Sequence, residues 1–202
     1  MTTIRTIDQL ADIYDGVSEA STAKVTSALT PGYRAMIEAS PFLALATIGP
    51  EGMDCSPRGD AASVVRVHDE KTVLLPDWRG NNRIDSLRNI VRDPRVALML
   101  LVPGSNTTMR INGAATVSVD PELLESFEMD GKHPRSVIVV EIQEVYFQCA
   151  RALIRSELWN PDRFQDPATL PSAGQLLKEA KASFDQETYD REWAARAART
   201  MW

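Results

Sequence analysis

Cysteine and histidine are scarce in this chain: its 202 residues hold only Cys55, Cys149, His68 and His133. Two cysteines make neither a disulfide framework nor a zinc pattern, and two scattered histidines in turn-forming stretches give no metal site. Long apolar runs are missing as well. None approaches membrane-spanning length, and the N-terminus lacks a basic-then-apolar signal pattern, so a cytoplasmic chain with no membrane association is expected. Positive charge is in deficit; a net charge of −6 weighs against a general nucleic-acid binder. No Ser-His-Asp or Cys-His arrangement offers a nucleophile. What the chain does have is 44% hydrophobic residues, enough to bury a sizeable core.

The charge is unevenly spread. Residues 1–54, 96–159 and 160–202 carry −4, −3 and −1, whereas residues 55–95 have 8 basic against 6 acidic groups, a net +2. A local positive segment of that size suits a small anionic ligand better than a polyanion.

Within that segment, Lys71-Thr72-Val73-Leu74-Leu75 reads as a strand that stops at Pro76. Gly80 lets the backbone turn, and Asn81 or Asn82 is a suitable N-cap for a helix. Ile84, Leu87, Ile90 and Val91 fall on one helical face, and Asp93-Pro94 ends it. A helix start attracts anions through its free N–H groups and dipole. Asn82, Arg83 and Ser86 are therefore candidates for a phosphate site, an arginine fork and a hydroxyl being apt donors. A plain capped helix with a surface arginine fits the same local pattern.

Short helices are expected over residues 1–41: one capped by Thr6 and ended at Gly16, a weaker one from Ser18, and a third near Pro31 that Ser40-Pro41 stops. Strands follow at Phe42–Ile48, Met53–Arg58, Ala62–Val67, Thr72–Leu75, Arg95–Val102, Thr107–Val119 and Ser136–Phe147. A helix after Asp120 should reach to near Gly131. The chain turns helical again at Ala150–Ser156, and Gln186–Trp202 reads as a helix with an apolar face. Hairpin-linked strands with helices at the edges predict a mainly β fold closed as an antiparallel barrel, because closure removes the sheet edges.

A second segment, Ser56-Pro57-Arg58-Gly59-Asp60, breaks strand pairing with proline and glycine. Alternation puts Ser56 and Arg58 on one side of the strand. Arg66 interrupts Val64-Val65-Arg66-Val67 and lies opposite Val65 and Val67. It either faces solvent or, if inward, needs a partner or an anion.

These stretches resemble a known family. Ser56–Asp60, Pro76-Asp77, Gly80–Ile90, Asp93–Leu98 and Arg110–Ala115 occur in the order seen in the pyridoxamine 5′-phosphate oxidase-like FMN-binding split barrels, and the likeness covers about Phe42–Trp159. It implies a six-stranded antiparallel split β-barrel (42–159) between an N-terminal helical arm (1–41) and a C-terminal helical tail (160–202). It further implies a homodimer with one FMN in each of two clefts at the subunit interface. By position, Arg83 would meet the FMN phosphate with Asn82 and Ser86, while Ser56 and Arg58 would reach the phosphate, ribityl chain or flavin edge. Arg66 is a further candidate for the same role. Cys149–Trp159 resembles a segment that closes the flavin site in some relatives, which nominates Arg155 and Trp159; Gln148 stands where that subgroup has histidine.

One feature of the oxidases proper is not found: residues 160–202 lack their Arg-and-His substrate motif. The resemblance therefore implies an FMN-dependent oxidoreductase acting on some other small molecule, in a subgroup distinct from the true pyridoxamine phosphate oxidases. A non-catalytic flavin- or haem-binding storage or sensor protein, and a deazaflavin-dependent reductase, are the alternatives the same barrel accommodates.

Overall fold

The computed structural model describes residues 2–200. Three short helices come first: α1 (Ile7–Ala11), α2 (Glu19–Ala23) and α3 (Pro31–Glu38). The Thr6 and Thr30 hydroxyls accept from the amides of Gln9 and Tyr33, and Pro31 occupies the first turn of α3, where its missing N–H costs nothing. Seven strands and two helices follow: β1 (Phe42–Gly49), β2 (Gly52–Gly59), β3 (Arg66–Val67), β4 (Thr72–Asp77), α4 (Asp85–Arg92), β5 (Arg95–Leu101), β6 (Thr108–Ser118), α5 (Pro121–Glu125) and β7 (Ser136–Gln148). The chain closes with α6 (Arg151–Ser156), α7 (Ala173–Ala180) and α8 (Gln186–Thr200). Met201 and Trp202, which the expected last helix included, lie outside the described residues.

The strands form one antiparallel sheet in the order β2-β1-β5-β6-β7-β4-β3. Period-two burial sets which face is inside: Leu43, Leu45 and Thr47 of β1, Val96, Leu98 and Leu100 of β5, and Met109, Ile111 and Ala115 of β6 all point into one core. Val73, Leu75, Ile138, Val140 and Ile142 complete it from β4 and β7. Ile37 of α3 and Ile90 of α4 plug it, which ties both helices to the barrel.

Six strands are substantial, as expected; the seventh, β3, has only 2 residues. The expected strand Ala62–Val67 is thereby cut short. Val64 and Val65 are both buried, which alternation forbids. The backbone turns instead, with the Val64 amide on Ser40 O and the Ser63 hydroxyl on Val65 O. The expected helix from Asp120 to near Gly131 is likewise shorter and stops at Glu125.

Strand β3 pairs only with Leu74 and Val73, and the His68 amide reaches Thr72 O, so from Leu75 to Asp77 β4 pairs with no strand on that side. The two sheet edges, β2 and β4, come together there through side chains: Arg58 pairs with Asp77, and the Trp78 indole N–H donates to Asp60 at 3.3 Å. This seam is the split in the barrel.

The tail begins at the Trp159 indole, which donates to Ser105 O at 2.7 Å. Further on, Ser172 and Gln175 form a capping box on α7. Asp190 of α8 accepts from the Ser172 hydroxyl (2.6 Å) and the Gly174 amide (2.9 Å), so one carboxylate caps the neighbouring helix. Asp190→Ala is expected to cost this helical pair about 1 kcal/mol. Hydrogen exchange should then speed up at the α7 amides and leave the β-sheet amides unchanged; uniform protection in the variant would refute the cap.

Candidate functional site

The tip of α4 differs from the sequence expectation. Its N-cap is Ile84, without a side-chain cap bond, and not Asn81 or Asn82. Asn82 adopts the left-handed region (φ 61°), and the Asn81 side chain accepts from the Arg83 amide at 2.9 Å. That tight Asx turn, a conformation asparagine tolerates, delays the helix by two or three residues. Arg83 consequently precedes the helix, 80% exposed and paired with Asp85 at 2.6 Å; that pairing raises its pKa. The Ser86 hydroxyl is buried and donates to Asp54 at 2.5 Å. Two carboxylates, Asp54 and Asp85, thus already face the positive end of this helix.

A cleft of about 460 Å³ opens beside it, between β2, the 78–84 loop and the start of β7. Ser56, Arg58, Asn82 and Arg83 line it, together with Arg135. Three arginines therefore face this cleft among the described residues, against one carboxylate, Asp77. The Arg58–Asp77 pair is mostly buried, with side chains 21% and 14% exposed. Arg58 Nε is also buried and has no hydrogen-bond partner. Arg135 donates through Nη1 to Asn82 Oδ1 at 2.6 Å.

A second cleft of about 500 Å³ shares Pro57, Arg58, Trp78 and Gly80 with the first and continues along the seam. Gly59, Ala61, Val64, Leu75 and Pro76 make its walls largely apolar, with Asp60 and Arg79 as the charged residues that it does not share with the first. Together the two form one groove, basic at one end and apolar at the other, within the size range of small-molecule sites.

Four of the eight nominated residues meet here: Ser56, Arg58, Asn82 and Arg83. The other four lie elsewhere in the chain. Ser86 sits beneath the helix tip on Asp54. Arg66 is exposed on β3, donates to Ser126 Oγ and O at 2.8 and 2.6 Å, and lies over the Phe127 ring at 3.6 Å. Arg155 of α6 donates to Arg151 O within its own helix, and Trp159 is held on Ser105. Sequence reasoning missed Arg135. No local pattern marks it; only the pairing of Asp77 with Ser136 brings it to residues of the 78–84 loop. Among the described residues no cluster of His, Cys, Asp and Glu could hold a metal ion, and no helix is long and apolar enough to cross a membrane.

Residues 29–149 match the family described as pyridoxamine 5′-phosphate oxidase. No curated protein matches significantly. Among solved structures, HupZ of Group A Streptococcus is 14% identical, with 59% of this chain and 93% of that one covered, at a TM-score of 0.48. A Lactobacillus delbrueckii protein provisionally assigned as a pyridoxamine 5′-phosphate oxidase is 22% identical over 60% of this chain and 95% of its own, also at 0.48. An FMN-binding protein of Syntrophomonas wolfei is 15% identical over 57% and 83%, at 0.44. The family match runs from α3 through β7, more than half of the chain and all of the sheet: this protein belongs to the pyridoxamine 5′-phosphate oxidase family.

Proposed function

We propose that the chain is an FMN-binding flavoprotein, acting as an FMN-dependent oxidoreductase on a small molecule. The observation that carries this reading is the polarity of the seam groove, in which a basic end runs into an apolar end lined by Trp78, Pro76, Leu75 and Val64. A flavin mononucleotide has the same two-part chemistry, a phosphate at one end and a flat, largely apolar ring at the other. The orphaned Nε of Arg58, where the two ends join, fits a ligand that supplies an acceptor there.

In this reading FMN, when bound, supplies the two-electron redox chemistry, and the protein binds, orients and shields it. Arg83 and Asn82 serve the phosphate end, with the Ser56 hydroxyl beside them. Arg58 offers a donor to the middle of the ligand, and the apolar walls keep water from the ring. Residues 42–159 form the flavin-binding unit, with 160–202 as a tail and 1–41 as an arm whose α3 plugs the barrel core through Ile37. The working form is a homodimer. The outward face of β1 and β5 supports this, because Phe42 (43% exposed) and Met99 (45% exposed) flank Ala44, Ala46 and Ala97. Such an apolar sheet face suits burial against a second copy.

Purified protein should be yellow and should quench added FMN fluorescence to saturation. At FMN 100-fold above Kd the folded state should gain about 2.7 kcal/mol, read as a rise in Tm. Bleaching by NADH or NADPH, with reoxidation by an acceptor, would support the oxidoreductase reading. FMN held tightly without turnover would point to a carrier or sensor, and a preference for a deazaflavin to a related reductase. A colourless protein that ignores FMN would overturn the flavin reading.

A further inference from the structure

We propose that α8 is a self-docking surface: the helix pairs antiparallel with α8 of a second copy of this chain, crossing at Trp193. The contact belongs to the tail alone and rests neither on flavin binding nor on the β1–β5 face.

The tail has little core of its own. Among the described residues from 160 onward, Gly174 alone is fully buried. With 8 residues in α7 and 15 in α8, both helices are of lengths that are marginal in water without tertiary packing. α8 packs chiefly on α7, and the caps that Asp190 gives to Ser172 and Gly174 put that contact near the start of α8. The helix then runs on to Thr200, and Trp193 on this extension is 55% exposed. Its indole is nonetheless held in place. Tyr189 stacks against it with ring centroids 6.4 Å apart, and the Arg196 guanidinium lies over both rings, at 4.4 and 5.6 Å. An ordered group of Trp, Tyr and Arg is the composition found at interface hot spots. Helical periodicity sets Ala194, Ala197 and Ala198 beside Trp193, so no long side chain shields it on that flank.

The charge pattern of the helix selects its partner. Trp193 is the midpoint of Gln186–Thr200. The half before it carries Glu187, Asp190, Arg191 and Glu192, one basic group against three acidic, a net −2. The half after it carries Arg196 and Arg199, a net +2. A partner of one uniform sign is repelled by one half or the other. A second α8 crossing antiparallel at Trp193, related by a two-fold axis, lays each acidic half on a basic half. Parallel pairing would lay like on like. Opposed helix dipoles favour the antiparallel arrangement as well.

Cross-linking of the full chain reads this geometry. Cys55→Ser and Cys149→Ser remove the two free thiols, and single cysteines at exposed positions of α8 are then treated with a short bismaleimide. Ala194→Cys, next to the crossing point, should give a two-chain product. Glu187→Cys alone and Arg199→Cys alone should not, because like positions in the antiparallel pair lie about 18 Å apart along the axis at 1.5 Å per residue. The same two variants co-expressed should link to each other, since residue 187 of one copy then stands level with residue 199 of the next. Adding Trp193→Ala should lower the Ala194→Cys product by about tenfold or more and leave the Tm of the barrel unchanged. Absence of product from both Ala194→Cys and the co-expressed pair would overturn the proposal; α8 would then dock on its own barrel or on nothing. Self-linking at 187 or at 199 would exclude the antiparallel crossing. Equal product with and without Trp193 would mean that the barrels alone bring the tails together, and would overturn it too.

Discussion

Gly113→Ala is expected to destabilise the fold by about 2 kcal/mol or more, since overpacking a tight site costs roughly 1–3 kcal/mol and occasionally more. Gly113 sits at the β-bulge where the β6–β7 register shifts. A Cβ built there falls far inside van der Waals contact with Glu141 O and lies 3.1 Å from the Glu141 carbonyl carbon. That oxygen belongs to the backbone of β7, which is paired to both β6 and β4, so it cannot swing aside as a flexible side chain would. Alanine also stiffens the unfolded chain, which returns about 0.4–1 kcal/mol. The penalty should still dominate. Gly32→Ala is the control of opposite sign: Gly32 lies in α3, a Cβ there meets nothing within 4 Å, and alanine is the better helix former. Urea denaturation should lower the midpoint for Gly113→Ala and raise it for Gly32→Ala. Equal midpoints for the two variants would rule out the close approach.

Breaking the seam should cost as much or more. Asp77→Ala leaves the Arg58 guanidinium mostly buried with no counter-charge, on top of an Nε already without a partner. Removing one member of a fully buried pair costs about 3–5 kcal/mol. The two side chains keep 21% and 14% exposure, so solvent relieves part of this, and about 2–3 kcal/mol is expected. Arg58→Ala strands the carboxylate in the same way. The double variant removes both charges and should lose much less than the two single losses summed. A double-mutant cycle measures the difference; a coupling under about 0.5 kcal/mol would mean that the pair does not hold the two edges together.

Strands β1, β5 and β6 could be read from the chain because one face of each meets the core and alternation leaves the other less buried, whereas β7 opens with Ser136, Val137 and Ile138 all buried and is read from its β-branched run. Ala62–Val67 is also rich in valine yet forms only two residues of strand, since Val64 and Val65 are both buried in the core and the Val64 amide is turned onto Ser40 O. The spacing of Ile84, Leu87, Ile90 and Val91 marks the α4 helix, although only Leu87 and Ile90 pack on the core while Ile84 and Val91 stay exposed. Its cap was not readable from the chain, because the left-handed Asn82 depends on the whole 78–84 loop closing.

For the site, residue types and local order determined that an anion-friendly segment lies between residues 55 and 95, and which family's motifs it carries. Tertiary structure decided where the positive charge is available. Arg83 is paired with its neighbour Asp85 and the Ser86 hydroxyl donates to Asp54, whereas Arg135 enters from 53 residues beyond Asn82. The reason is one of range. Helical and strand periodicity act over a few residues, so they can be read along the chain. Which charge meets which depends on strand register across the sheet, and that exists only once β4 has found β7.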